Sequence, residues 1–100
     1  MAAGAAMPLA DDVPLEHAAL LGCAALTGVG AVLNAARPES AFTALVLGAG
    51  GDGQFVVQGA RRAGAAEILV VDPVDARRGQ ALALGATRAC APDDVREAVR

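Results

Sequence analysis

One hundred residues allow a single small domain, able to bury about 60–70% of the surface its unfolded chain exposes. The net charge is −3 and the eight basic residues, all arginine, are scattered, which excludes general nucleic-acid binding by counterion displacement. Apolar residues make up 55% of the chain but aromatics only 2%, so the core has to be assembled from Ala, Val and Leu.

Residues 1–13 are expected to be a disordered tail. The stretch is rich in alanine but has no basic segment, and Asp11-Asp12 ends it, so it does not read as a signal peptide. Residues 14–40 read as a helical linker segment. Pro14 suits a first helical turn, Glu16 sits near its positive end, and Leu15, Ala18, Ala19 and Leu20 precede Gly22. A second helix is expected from Ala24 to Ala36, stopped by Pro38. No uninterrupted apolar run approaches the roughly 18 residues of a membrane span, so none is expected. Residues 41–100 then alternate. Thr43 to Leu47 is an apolar run expected of a parallel strand buried on both faces, and Gly48 to Gly51 is a turn. Asp52 to Ala63 reads as a helix ended by Gly64, and Ile68 to Val71 as a second strand. Val74 to Leu84 is a helix stopped by Gly85, Thr87 to Cys90 a short third strand, and Val95 to Val99 a last helix. The fold class is α/β: a βαβαβ half of a doubly wound, Rossmann-like parallel sheet, preceded by one or two helices. Arg61-Arg62 and Arg77-Arg78 are expected on solvated helix faces. Cys23 and Cys90 make no disulfide framework, and a reducing, cytoplasmic setting is expected.

Chemistry concentrates in Gly48-Ala49-Gly50-Gly51-Asp52-Gly53, which leaves a strand and opens a helix, with an acid, Asp72, 24 positions after Gly48. Gly48 permits the tight turn, Gly50 lets a pyrophosphate approach the backbone, and Gly53 lets helix and strand pack closely. Free N–H groups at the helix start favour an anion. Asp72 can accept bonds from both ribose hydroxyls and repels a 2′-phosphate, favouring NAD over NADP. Arg77 can blunt that preference by swinging towards the ribose. A strand–turn–helix unit without a ligand is the bland alternative.

Together with the run Leu21-Gly22-Cys23-Ala24-Ala25-Leu26-Thr27-Gly28 and the tail Ala83-Leu84-Gly85-Ala86-Thr87, these residues resemble the zinc-type medium-chain alcohol dehydrogenase family. Pro14 to Thr87 corresponds to the family's lead into its cofactor domain and the N-terminal half of that domain, so residues 41–100 are expected to be a partial dinucleotide-binding domain. The resemblance implies that Cys23 stands at a ligand of catalytic zinc and Thr27 at a nicotinamide contact. It places Gly48, Gly50, Gly51 and Gly53 on the pyrophosphate loop, and Asp72 and Arg77 at the ribose. In the family, zinc polarises an alcohol oxygen while hydride passes to NAD.

The sequence departs from that pattern in two respects that bear on activity. Catalytic zinc needs about three protein ligands, yet His17 is the single histidine and reads as a surface residue. Asp52 stands where the family usually has an apolar residue. The expectation is therefore an NAD-binding fragment with no catalytic residue of its own, inactive alone. A non-catalytic nucleotide-binding or interaction module, or a nonfunctional gene remnant, is the alternative. The exposed sheet edge left by half a fold is expected to drive self-association or to take a complementing subunit.

Overall fold

The computed structural model describes Gly4 and residues 6–100. Residues 6–13 carry no helix or strand, only a turn closed by Val13 N–H on the Ala10 carbonyl. The disorder expected of residues 1–3 and 5 lies outside the described residues.

Three strands, β1 (Thr43–Leu47), β2 (Glu67–Val71) and β3 (Arg88–Cys90), form one parallel sheet in the order β1-β2-β3. Parallel neighbours need crossovers, and two helices supply them: α2 (Gly51–Arg62) between β1 and β2, α3 (Asp75–Leu84) between β2 and β3. Both helices stop at glycines in the left-handed region, Gly64 (φ 90°) and Gly85 (φ 124°), which side chains disfavour. The chain ends in a 3₁₀ turn, Pro92–Asp94, and a single helical turn, α4 (Val95–Ala98).

Period-2 alternation divides the sheet. Val46, Ile68 and Val70 point to the helix side and build the core with Val57, Ala60 and Ala81. On the opposite face the central strand still buries Leu69 and Val71, but Leu45 is 49% exposed and Leu47 73%. This corrects the expectation that β1 is buried on both faces. An apolar run fits a strand with two covers, but β1 is an edge strand with its helix cover on one side.

Of the one or two helices expected before the sheet, the structure has one continuous helix. Helix α1 runs from Leu15 to Ala36, 22 residues, with π-helical turns at Leu21–Ala25 and Ala31–Ala36. Gly22 does not end it, because an interior glycine costs only about 1 kcal/mol relative to alanine. The actual stop, just before Pro38, is Arg37, which adopts the left-handed region (φ 45°) of a helix C-terminus. Its N–H caps the Val32 carbonyl and its Nε the Asn34 carbonyl. By length and composition α1 reaches the size of a membrane span, contrary to the estimate from uninterrupted runs. One face of it is nonetheless packed on α2 through two glycines. A Cβ at Gly28 would lie 2.6 Å from the Asp52 carbonyl and the Phe55 Cβ, and one at Gly59 would lie 3.1 Å from the Val29 Cα.

Candidate functional site

The register pairs Leu47 with Val71 and Val71 with Cys90, so all three strands end at one level. Ligands of open α/β sheets bind beyond this carboxyl edge. Gly48 and Asp72 meet there. Gly48 N–H extends the ladder to the Val71 carbonyl at 2.8 Å, and Ala49 N–H donates to Asp72 Oδ2 at 2.8 Å.

The glycines of the loop differ in what the fold asks of them. Gly48 has φ +96°, where a side chain is strained. A Cβ on Gly53 would land on the Gly48 carbonyl, so the start of α2 rests directly on the turn. At Gly50 a Cβ meets nothing within 4 Å, and at Gly51 only the Ala24 Cβ at 3.9 Å. The space in front of Gly50 is open, so the fold itself does not require a glycine there. Gly50 caps α2, with Gln54 N–H bonded to its carbonyl, and the N–H groups of Gly51, Asp52 and Gly53 fall before the first intrahelical bond. Three donors and the positive helix end thus border free space, the geometry of an anion site. Exposed Asp52 sits in the same turn.

Asp72 is 3% exposed and its carboxylate is turned into the protein. Oδ2 takes the Ala49 N–H, and Oδ1 takes the Val74 N–H at 2.7 Å. These backbone donors, Ala49 first, hold its pKa below the ordinary carboxylate value. Burial opposes the shift, and the Arg77 and Arg78 guanidinium groups add to it. Arg77 lies 4.0 Å from Oδ2 and is half exposed. Arg78 is not the solvated residue expected. Its Nη1 donates to the Asp72 carbonyl at 2.6 Å and its Nη2 to Asp75 at 3.1 Å, buttressing the strand end.

A residue not singled out in the sequence joins these parts. Gln54 Nε2 donates to the Ala49 carbonyl at 2.9 Å and to the Arg77 carbonyl at 3.1 Å. The available signal was an amide in the first turn of α2, facing a glycine loop.

The α1 turn carrying Cys23 and Thr27 lies against the start of α2. Ala24 neighbours Gly51, and Gly28 sits under Asp52 and Phe55. Cys23 and Thr27 are exposed there, four residues apart on one helix face. Cys23 and half-buried Cys90 are both free thiols, and His17 is exposed. Among the described residues, no three His, Cys, Asp or Glu side chains gather to hold a metal ion. The donors present around Cys23 do not fit a catalytic zinc, which needs about three.

No protein-family model matches the chain. An NDMA-dependent alcohol dehydrogenase of Amycolatopsis methanolica is 46% identical over 84 residues, 84% of this chain and 23% of that protein. The structure of benzyl alcohol dehydrogenase from Acinetobacter calcoaceticus superposes with a TM-score of 0.81 at 36% identity, covering 87% of this chain and 24% of the other. An alcohol dehydrogenase zinc-binding domain protein from Burkholderia ambifaria gives 0.79 at 42% identity, over 92% and 25%. The chain thus spans about a quarter of the length of these relatives.

Proposed function

Because the chain belongs, over the stretch it shares with these proteins, to the zinc-type medium-chain alcohol dehydrogenase family, we propose that its glycine loop and Asp72 bind NAD. The observation that carries this reading is the open space at Gly50, bordered by the unpaired N–H groups of Gly51, Asp52 and Gly53. A diphosphate is the anion this reading sets there, and a bulky side chain at position 50 would compete for the same space.

When bound, the dinucleotide supplies a hydride acceptor. The residues of this chain bind and orient it. Gly51, Asp52 and Gly53 donate backbone hydrogen bonds to the pyrophosphate. Asp72 stands at the ribose side, where each carboxylate oxygen already accepts one backbone N–H, with Arg77 beside it. Thr27 faces the nicotinamide end. Oxidation of an alcohol is proposed for the assembly of this segment with the remaining parts its relatives possess, in the cytoplasm. No catalytic group is assigned to these residues alone, since the donors at Cys23 do not make a zinc site.

Titration calorimetry with NAD tests the reading. Wild type is expected to bind, and Gly50→Leu to weaken binding at least tenfold at unchanged melting temperature. Absence of wild-type binding, or equal affinities, refutes it.

A second role rests on β1. Among the described residues its outer edge has no partner strand and is flanked by exposed Leu45 and Leu47, a template for strand addition. We propose that this edge takes a second copy of the chain or a complementing subunit, with no nucleic-acid or membrane partner. Light scattering should show a species larger than a monomer, reduced by Leu47→Lys. A wild-type monomer that binds no added β-strand partner refutes it.

A further inference from the structure

Gln54, like Asp72, joins the glycine loop to the start of α3. Its backbone N–H holds the Gly50 carbonyl at 3.0 Å and its Nε2 holds the Ala49 carbonyl, so two successive loop carbonyls are fixed by one residue. The same Nε2 reaches the Arg77 carbonyl in the first turn of α3. Ala49 N–H and the Arg77 guanidinium both face Asp72 Oδ2. A closed ring results: Asp72 carboxylate, Ala49 peptide, Gln54 amide, Arg77 backbone, Arg77 guanidinium, and back to Asp72.

The remaining atom of the amide is informative. Gln54 Oε1 is buried without a hydrogen-bond partner. Turning the amide over would not help, because it would set the oxygen against two carbonyls. An orphaned buried oxygen is a cost, so for packing alone a methionine of similar shape would serve as well. What the amide adds is the tie between loop and α3.

We propose that Gln54 is a positioning residue that holds Arg77 against Asp72, and that it thereby sets how strongly the site rejects a phosphate on the ribose 2′ position. The inference rests on the dinucleotide reading above. With the turn of α3 tied down through the Arg77 carbonyl, the half-exposed guanidinium stands 4.0 Å from Oδ2 and offsets the carboxylate. Once released, Arg77 is half exposed already and free to swing outward, where a 2′-phosphate recruits it by a charge-assisted, bidentate contact.

The test is the ratio of NADP to NAD dissociation constants, measured by calorimetry for wild type, Gln54→Met, Arg77→Ala and the double variant. Gln54→Met is expected to lower the ratio at least fivefold. In the Arg77→Ala background the same change is expected to leave the ratio within twofold, because the effect passes through Arg77. A purely structural role would weaken both ligands in proportion and leave the ratio alone. If Gln54→Met fails to fold, Gln54→Asn, one methylene too short to span both carbonyls, carries the same expectation. An unchanged ratio, or a shift that persists without Arg77, overturns the role of Gln54 while NAD binding stands. A wild type that binds neither nucleotide overturns both.

Discussion

Replacing Asp52 should improve NAD binding while slightly weakening the fold. Asp52 is exposed in the first turn of α2, where its charge favours the positive helix end by about 0.3–1 kcal/mol. That same turn presents the Gly51, Asp52 and Gly53 N–H groups, so a bound pyrophosphate places two negative charges within a few ångströms of the carboxylate. At about 4 Å one such pair repels by roughly 1 kcal/mol in water-like dielectric, rising to about 4 kcal/mol at the effective value near a protein surface. Taking about 1–2 kcal/mol for a solvated side chain gives a dissociation constant lower by roughly 5- to 30-fold once the charge is gone. Calorimetry on Asp52→Val measures the gain, and Asp52→Asn isolates charge from shape. The gain should shrink in part as salt rises from about 0.05 to 0.5 M, since the Debye length then falls from roughly 14 Å to roughly 4 Å, comparable to the separation involved. Equal dissociation constants for wild type and both variants at low salt would refute the electrostatic argument.

Gly53→Ala should cost about 3 kcal/mol or more, because the new Cβ meets the Gly48 carbonyl and backbone has to move; chemical denaturation measures it. Gly28→Ala should lower the melting temperature by forcing α1 off the Asp52 carbonyl and Phe55. Asp72 has a lowered pKa in the fold, so its contribution is present above the ordinary carboxylate value of about 3.9 and is lost as pH falls through the lower folded value. Asp72→Asn should therefore flatten the acid limb of a stability–pH profile and leave the alkaline limb unchanged. Of the two thiols, exposed Cys23 should react with a disulfide reagent well before half-buried Cys90, which mass spectrometry of partially modified protein resolves.

What could be read from the sequence follows from which signals are local. Helix α2 begins one residue before its expected start, and α3 one residue after, both with their glycine stops in place, because periodicity and left-handed termini are properties of short windows. The parallel order β1-β2-β3 follows from the strand–helix alternation. Effects that depend on neighbours were not legible. Gly22 looked like a stop, but a helix with one face anchored on α2 carries it through. The apolar run of β1 contains no information about whether a second layer exists to cover Leu45 and Leu47. The Arg77 carbonyl that Gln54 holds is 23 residues away, beyond any local pattern, and Arg78 reaches back out of its helix to the Asp72 carbonyl.

The glycine loop, counted as one motif, separates in the structure into two sets with different causes. Gly48 and Gly53 are explained by the fold: one needs a positive φ, the other has no room for a Cβ. Gly50 and Gly51 are free of both constraints: a side chain there would meet open space or ordinary contact, and Gly50 serves the fold only as the N-cap of α2. Gly53→Ala should register in stability, Gly50→Leu in affinity. If Gly50→Leu unfolded the protein, or if Gly53→Ala melted like wild type, the assignment of open space to a ligand would lose its basis even if NAD bound.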